Sequence, residues 1–412
     1  MRENRQTARE RARPTAQAPT SVTEPSPGIS FEPAAEQREL QALAHEFAER
    51  ELRPVAREWD EREDYPPDLL AKAAAAGLTS YAIPEEYGGG GVGAVTAALI
   101  AEELSWGCAG LAATIQATMF PVRPLVRFGT EEQRRRYLPL LAREQGTLAA
   151  IAFTEAHAGS DLAAIRATAR RDPRQDDGWT LDGEKVYVTN GGIADLTVVF
   201  AQADEGMTAF LVERGDPGVT AGRKERKLGL RASYTGSLVL HEARLPPDRV
   251  LGEAGEGFLV AMDFFEASRP QVAAAAVGAA RAAYEHAVEY ARTREAFGRS
   301  ILSRQGVSFK LADMAMEIEA ARLLTWRACA ALDAGRDAGL LGSYAKAFAA
   351  DAAMRATTDA VQILGGAGVM RDHPVEKWLR DAKVLQVVEG TSEIQRQIVA
   401  TYIERDWSER PK

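Results

Sequence analysis

Cysteine and histidine are scarce in this sequence, and their scarcity excludes several classes of site. The 412 residues include 2 cysteines, Cys108 and Cys329, which lie far apart and form no CxxC pair. A disulfide framework and a thiolate metal site therefore lack their ligands, and the chain is expected to be cytoplasmic. The 5 histidines are scattered without the HxxxH or HExxH spacing that places two imidazoles on one helical face, so no protein-ligated metal is expected.

Long apolar runs and an excess of basic residues are also missing. The most apolar helical stretches are interrupted by Glu102 and Glu103 or by Arg281, which argues against a membrane span. Lysine and arginine number 50 against 59 aspartate and glutamate, whereas a protein that neutralises nucleic-acid phosphates usually has a basic excess. Neither a membrane nor a nucleic acid is therefore an expected partner. The length predicts two or three domains.

The pattern of apolar residues divides the chain into five segments. Residues 1–33 contain almost no large apolar side chains, which predicts a disordered tail, and 406–412 are a second tail. Helical periodicity predicts an N-terminal helical domain over 34–150. Short alternating runs predict a middle β-sandwich or barrel domain over 151–254. Helical patterns return over 255–405 and predict a C-terminal four-helix bundle. The fold class is α+β, mainly α.

Within these domains the sequence predicts individual elements and turns. The strand predictions are 179–189, 196–202, 208–212, 219–223 and 237–245, and the C-terminal helix predictions are 256–292, 305–334, 338–364 and a last helix from Ser392. Asp182-Gly183 predicts a hairpin turn. Gly88, Gly90 and Gly93 formally satisfy GxGxxG, yet Pro84 and two glutamates occupy the place where a dinucleotide site needs a buried strand, so we interpret them as a flexible turn.

A carboxylate near the C-terminus lies in a segment that reads VVEGTSEIQ over 387–395. Ser392 and Gln395 fit a capping box for the last helix, which places Glu389 in the turn just before it. A glutamate before a glycine is most often a solvated turn residue. The glycine cluster at 365–368 closes a long helix and lets a ligand approach the backbone, so Glu389 could instead serve as a general base.

Two further segments combine polar and small residues. The segment 153–161 reads FTEAHAGSD, which indicates either an ordinary loop with Ser160 or Asp161 as a helix cap, or a row of hydroxyls and N–H groups that bind a planar heterocycle. The segment 185–192 reads KVYVTNGG and ends a predicted strand. Its Tyr187 could pack across strands or stack on a cofactor ring.

Together these segments resemble the acyl-CoA dehydrogenases, in the same order and over about 34 to 405. The blocks FEASRP at 265–270 and REAFG at 294–298 strengthen the resemblance. It implies a helical N-terminal domain, a middle β domain and a C-terminal four-helix bundle, with FAD between the last two and across a subunit interface. It further implies a homotetramer, an acyl-CoA or acyl-carrier thioester as substrate, and an electron-transfer flavoprotein as electron acceptor.

The resemblance also assigns roles to single residues. Glu389 would remove the α-proton of the thioester while the flavin N5 takes the β-hydride. Some family members carry their base just before the position of Arg269, but Ser268 stands there and cannot do this. The implied FAD contacts are Thr154, Ser160, Tyr187, Val188, Thr189, Arg294, Phe297, Gln305, Gln362, Gly365, Gly366, Thr391, Ser392 and Glu393. The implied substrate contacts are Ser160, Glu266, Arg269 and Gly390.

Three departures from the family pattern bear on specificity. Tyr187 stands where a tryptophan is more usual, Val388 where an aromatic residue often precedes the base, and Ala156-His157 where Pro-Gly is common. The change at Val388 predicts a pocket shaped for something other than a straight medium-length chain. Three alternatives stay open: a dehydrogenase of carrier-bound acyl groups, a flavin monooxygenase or oxidase, and a scaffold that has lost its cofactor.

Overall fold

The computed structural model describes residues 31–143, 145–172 and 178–408. Most of the two predicted tails therefore lies outside the described residues. The described chain has a helical N-terminal part, a middle β-sheet part and a helical C-terminal part, which confirms the predicted fold class. From Ala35 onward the three parts form one compact unit.

Short helices surround one long helix in the N-terminal part. The helices are α1 (Ala35–Phe47), α2 (Ala56–Arg62), α3 (Leu69–Ala75), α4 (Ala94–Ala117), α5 (Val122–Phe128) and α6 (Glu131–Leu141), with a π-helical turn Ala48–Leu52 after α1. Helix α4 leaves helical geometry at Cys108 and is kinked there. The glycines before α4 follow a short 3-10 turn and no buried strand, so the formal GxGxxG match is a loop.

Among the described residues, Ala94–Phe128 is the stretch long and apolar enough to cross a membrane by length and composition. Its most apolar window is 94% buried inside the protein, as expected for a core helix. The charges that interrupt the apolar pattern pair with one another in this core. Glu102 accepts hydrogen bonds from Arg281 at 2.8 Å and from Arg322 at 2.9 Å, and Glu103 is bound by Arg281.

The middle part is one eight-stranded sheet. Its strands are β1 (Ala149–Ala152), β2 (Thr168–Asp172), β3 (Gly178–Thr189), β4 (Leu196–Ala203), β5 (Gly206–Glu213), β6 (Val219–Lys224), β7 (Thr235–Leu245) and β8 (Val250–Leu251). The strand order is β6-β7-β3-β2-β4-β5-β8, and β1 pairs in parallel with β4. The five predicted strands are confirmed, and β1, β2 and β8 are additional. With four and two residues, β1 and β8 are too short to show a period in the sequence.

Both faces of the sheet are buried at β4. Leu196, Val198 and Phe200 pack in a core shared with α5, α6 and α7, while Val199 and Ala201 pack in a second core formed within the sheet. Successive side chains on a strand point to opposite faces, so two buried faces give a continuous apolar run.

The hairpin predicted at Asp182-Gly183 is wrong, because both residues lie inside β3. The register with β7 shifts between Leu181 and Gly183, which marks an irregular, bulge-like position. Gly183 has φ +149, and a Cβ there would lie 2.6 Å from the Cβ of Ala167. The glycine that suggested a turn instead permits a bulge and a close backbone approach.

Long helices form the C-terminal part. They are α7 (Gly257–Thr293), α8 (Gln305–Asp333), α9 (Gly339–Leu364), α10 (Val375–Val387) and α11 (Ser392–Ser408), with a small hairpin of β9 (Glu295–Ala296) and β10 (Arg299–Ser300) after α7. The four predicted helices are confirmed, and α10 is an additional one. Helix α11 continues past the boundary predicted at 405.

Gly278 allows α7 to cross α4 at short range. A Cβ at this position would lie 2.1 Å from the backbone oxygen of Glu102, far inside van der Waals contact. Only glycine fits without moving one helix, so this crossing positions α7, which carries part of the candidate site described below.

We expect Gly278→Ala to lower the free energy of unfolding by about 1–3 kcal/mol, because the added methyl group overpacks the crossing. Gly306→Ala, near the start of α8 where nothing lies within 4 Å, is the matched control and should range from no change to about 1 kcal/mol of stabilisation. Chemical denaturation of both variants measures this, and equal effects would show that the crossing is not constrained.

Candidate active site

A strained turn between α10 and α11 carries Glu389. Its φ is +54, unusual for a residue other than glycine, and Gly390 follows with φ +87. Thr391 caps α11, since its hydroxyl accepts from the Ile394 N–H at 3.2 Å. The predicted capping box at Ser392 is therefore wrong: the Ser392 hydroxyl donates to Asp351 at 3.0 Å.

Two buried donors hold this turn. The Gln395 amide donates to the backbone oxygens of Glu389 at 3.1 Å and Gly390 at 3.0 Å. The Lys346 ammonium, on α9, donates to the Gly390 oxygen at 2.7 Å and the Gln386 oxygen at 3.2 Å. In the part of the chain that the structure describes, the Glu389 N–H has no acceptor, so it can donate to a ligand.

The Glu389 side chain reaches back to α7. The Ser268 hydroxyl donates to Glu389 Oε2 at 2.7 Å. Burial raises the pKa of Glu389 above its usual value, and the hydrogen bond from Ser268 together with the charges of Arg269 and Lys346 offsets part of the rise. A carboxylate with a raised pKa is a stronger base than an ordinary one.

The neighbouring cations are themselves desolvated. Lys346 is fully buried, and burial lowers its pKa to about 8. Burial also lowers the pKa of Arg269, whose Nε has no hydrogen-bond partner among the described residues. Glu266, one turn earlier on α7, accepts from the Ala338 N–H at 2.5 Å. Of the predicted substrate contacts, Arg269 and Gly390 thus lie beside the carboxylate, while Glu266 is tied to the start of α9.

An apolar cavity of about 280 Å³ adjoins Ser268. It lies between the N-terminal helices and α7, and its wall includes Tyr81, Ala97, Met119, Phe120 and Phe264. Arg123 also lines it, held by two hydrogen bonds from its guanidinium to Asp263 at 2.8 and 2.9 Å. Such a cavity suits an apolar chain whose reacting end lies at the carboxylate.

A buried ion pair shapes the segment 153–161. Lys185 is fully buried and donates to Glu155 Oε1 at 2.6 Å and to the Phe153 oxygen at 3.1 Å. Glu155 also accepts from the N–H groups of Arg166 and Ala167 at 2.7 and 2.9 Å. These bonds hold the pKa of Glu155 below its usual value against the effect of burial. The loop with Thr154, half-buried, and Ser160, exposed, is fixed from beneath.

The end of β3 presents one aromatic ring outward. Tyr187 has φ +59 and is 65% exposed, at a second register shift between β3 and β7. Val188 is buried in the core within the sheet, which leaves its backbone for any ligand contact. Thr189 is half-buried. Tyr187 therefore offers a free ring face, as stacking on a planar group requires.

Aromatic packing connects this segment to the carboxylate. Phe153, next to Thr154, stacks on Phe265 of α7 with ring centroids 4.9 Å apart. The Arg269 guanidinium lies 5.5 Å from the same Phe265 ring. The structure thus brings the 153–161 segment, Arg269 and Glu389 into one region of contacts.

Six of the predicted FAD contacts, from Arg294 to Gly366, lie at the far ends of α7 and α9 or just beyond them. Arg294 follows Ser268 by 26 residues along α7, which corresponds to roughly 39 Å, and Gln362 follows Lys346 by 16 residues along α9, roughly 24 Å. All six residues of this set are exposed: Arg294, Phe297, Gln305, Gln362, Gly365 and Gly366. Within one chain the two sets cannot contact the same isoalloxazine ring.

The residues present fit a large dinucleotide that carries a planar ring system. Tyr187 supplies a ring face, and Arg294 supplies a guanidinium fork that matches phosphate oxygens. Gly159, Gly365 and Gly366 have open space where a Cβ would lie, so a ligand can approach their backbone. Thr391 and Glu393 lie partly or fully exposed after the base, whereas Ser392 is buried. Among the described residues, no three His, Cys, Asp or Glu side chains are placed to hold a metal.

Comparison with known proteins shows the family to which this chain belongs. Three family profiles match: the acyl-CoA dehydrogenase N-terminal domain over 34–145, the middle domain over 150–243 and the C-terminal domain over 255–403. The chain belongs to the acyl-CoA dehydrogenase family. An acyl-CoA dehydrogenase from Bacillus subtilis (strain 168) is 43% identical, covering 89% of this chain and 98% of its own length. Acyl-CoA dehydrogenases are flavin-dependent oxidoreductases acting on CH–CH groups, and this chain is one of them.

Solved acyl-CoA dehydrogenase structures and their relatives have the same fold. Butyryl-CoA dehydrogenase from Megasphaera elsdenii superposes with a TM-score of 0.88 at 39% identity, covering 91% of this chain and 100% of that one. A glutaryl-CoA dehydrogenase from Mycobacterium smegmatis, solved with FADH2, gives 0.85 at 30% over 90% and 95%. The prolyl acyl carrier protein oxidase AnaB gives 0.86 at 32% over 90% and 100%. A chain in a structure of the electron transferring flavoprotein of Acidaminococcus fermentans gives 0.88 at 38% over 91% and 99%.

The sequence did not indicate several residues that build this acyl-CoA dehydrogenase site. Gln395 is predicted as part of a cap but holds the Glu389 turn instead. Lys346 belongs to none of the motifs, and it lies on the buried face of α9 among Ala345, Ala349 and Ala350. A lysine on an otherwise apolar helical face is the signal that could have identified it.

We expect Lys185→Met to lower the free energy of unfolding by about 3–5 kcal/mol, because Glu155 stays buried without its cation. Lys383→Met, at an exposed position of α10, is the control and should change it by less than about 0.5 kcal/mol. Chemical denaturation at neutral pH measures both.

Lys185→Met should also make the free energy of unfolding depend less on pH in the acid range. The lowered pKa of Glu155 contributes stability that is present above its ordinary value and is lost as pH falls through the folded value. Without Lys185 the folded pKa rises, and this loss shrinks. Unchanged pH dependence in Lys185→Met would contradict the role given to the pair.

Proposed function

We propose that this protein catalyses the α,β-dehydrogenation of an acyl-CoA thioester to the 2-enoyl thioester, with Glu389 as the base and FAD as the cofactor. The observation that carries the proposal is a carboxylate with a raised pKa that accepts a hydrogen bond from Ser268, which itself lines an apolar cavity. The α-proton of a thioester is weakly acidic, so its removal requires a base of this kind.

The backbone of Glu389 has a second task in this mechanism. Proton removal develops negative charge on the thioester oxygen, and a donor already in position stabilises that charge without reorganising. The Glu389 N–H has no acceptor in the described protein and would donate to this oxygen. Gln395 and Lys346 hold the turn and so fix the direction of the N–H. The acyl chain fills the cavity, excludes water and keeps the carboxylate desolvated.

We propose that FAD is held by residues of two chains. Thr154, Ser160, Tyr187 and the backbone of Val188 and Thr189 would contact the ring, and Thr391, Ser392 and Glu393 the part next to the base. FAD supplies the acceptor for the β-hydride when it is bound. The exposed set around Arg294 and Gln362 lies too far away to join the same ring contacts, which supports a homo-oligomer, and we propose a homotetramer.

The choice among substrates and chemistries rests on the base and the relatives. Glu389 is the residue that a dehydrogenase needs, and it favours this reaction over a flavin monooxygenase or oxidase. An acyl-CoA dehydrogenase is 43% identical, whereas the carrier-protein oxidase AnaB is 32% identical, which favours CoA as the thiol. We further propose an electron-transfer flavoprotein as acceptor, and a cytoplasmic location, consistent with two free buried cysteines.

Glu389→Gln tests the base. We expect the purified variant to keep its yellow cofactor and to lose at least about 10²-fold in the rate at which acyl-CoA thioesters bleach the flavin anaerobically. Exchange of the substrate α-proton with solvent should fall in parallel. Glu404→Gln, exposed on α11, is the control and should match the unchanged protein.

Two results would contradict this function. Retained bleaching in Glu389→Gln would show that another group is the base. Bleaching of the unchanged protein by acyl-carrier thioesters, with none by acyl-CoA, would make the carrier-bound substrate the correct one.

Ser268→Ala should shift the acid limb of the pH–rate profile to higher pH. The Ser268 hydroxyl stabilises the charged form of Glu389, so its loss raises the pKa of the base further. Activity would fall at pH values below the limb and stay near that of the unchanged protein above it. The measurement is kcat/KM for one acyl-CoA across pH, with the exposed Ser303→Ala as control. A limb that does not move would exclude the hydrogen bond as a determinant of the base.

A further inference from the structure

A second cleft, of about 220 Å³, lies on another part of the molecule. Its walls come from α2, from α4 at Gly107 and from the start of α10, and it shares no lining residue with the apolar cavity. Ala56, Pro374 and Trp378 give it an apolar lining, and Arg53, Arg57 and Arg371 give it three guanidinium groups.

Arg53 is a half-buried cation whose side-chain N–H groups donate to no group of the described chain. Its guanidinium lies 3.7 Å from the Trp106 ring centroid and 5.6 Å from that of Trp378. Within the described residues, no carboxylate pairs with it and no oxygen accepts from its side-chain N–H groups. Burial lowers the pKa of Arg53, and the attraction of Glu285 and Glu49, neither of which pairs with it directly, offsets only part of this effect. The stacking fixes the plane of the guanidinium while its donors stay available.

Most of the acidic residues of the cleft pair with arginines other than Arg53. Asp60 and Glu376 both bind Arg380, at distances of 2.8 to 3.2 Å. Glu61 pairs with Arg57 at 3.3 Å. Asp372 is exposed, and so is Arg371, which forms no ion pair with any described residue.

The remaining polar groups of the cleft do not compensate Arg53 either. Lys377 binds Asp381 at 2.6 Å, and His373 shares a hydrogen bond with His286 at 3.1 Å. Among the described residues that line the cleft, the half-buried group left without a hydrogen-bond or ion-pair partner is therefore the guanidinium of Arg53. An oxyanion that accepts from this guanidinium would satisfy its donors and its charge together.

We propose that this cleft binds a small oxyanion, a carboxylate or a phosphate, through Arg53, with Arg371 at the rim as a second cation. The apolar lining around Trp378 favours an anion that carries a small apolar body. This site is separate from the proposed catalytic site and does not depend on the function proposed for it.

Calorimetric titration of the FAD-loaded protein at low ionic strength tests the site with three probes: inorganic phosphate, acetate and benzoate. We expect saturable binding of at least one of them, and an affinity at least about tenfold lower in Arg53→Met. Arg371→Gln should weaken binding about two- to fivefold, as an exposed charge does. Arg62→Gln, exposed at the end of α2 and outside the cleft lining, should bind as the unchanged protein does.

The three probes also identify the ligand class. Benzoate binding above acetate indicates that the apolar lining contributes, and phosphate binding above both indicates a phosphate site. Absence of saturable binding for all three probes, or equal affinity in Arg53→Met and the unchanged protein, would overturn the proposal. If Arg53→Met does not fold, Arg371→Gln replaces it, and an affinity unchanged from that of Arg62→Gln would then overturn it.

Discussion

The hydrogen bond between Ser268 on α7 and Glu389 in the turn before α11 joins the two segments that build the candidate base. The proposed reaction depends on the desolvated environment of this carboxylate. A carboxylate in a desolvated position would take up a proton at a higher pH than one in water. The Ser268 hydroxyl and the charges of Arg269 and Lys346 limit that shift without abolishing it. The result is a base that is stronger than a surface glutamate yet still ionisable.

The same principle recurs away from the base, where buried charges position backbone. Lys185 and Glu155 anchor the loop of the 153–161 segment, and Lys346 anchors the turn of Glu389 by donating to carbonyl oxygens. A buried charge without partners is costly, so each of these side chains strongly favours one local geometry. Arg53 differs from these fully buried lysines, because it is half-buried and its guanidinium lies against the rings of Trp106 and Trp378 and pairs with no carboxylate of the described residues.

Sequence reasoning predicted the fold well where a period extends over many residues. The long helices α7 and α9 and the strands β3 and β7 match their predicted ranges closely, since both periods are legible over that length. It failed where one residue type has two structural uses. Gly183 suggests a turn but permits a bulge, and Ser392 suggests a cap but binds Asp351 on a distant helix.

The candidate site was predictable by resemblance, and its internal contacts were not. Glu389 and Arg269 follow from matched motifs, whereas their neighbour Lys346 lies more than forty residues from the base in the chain and meets it only through packing of α9. Contacts between distant segments have no local sequence signal, which is why these relations needed coordinates.

The protonation of Glu389 itself is the most direct measure of this account. Difference infrared spectroscopy of the unchanged protein against Glu389→Gln isolates the carbonyl band of the protonated carboxyl and follows it with pH. The account predicts a titration midpoint above the ordinary glutamate value of 4.5. A midpoint at or below that value would show a solvated carboxylate, and would contradict the assignment of Glu389 as a desolvated base.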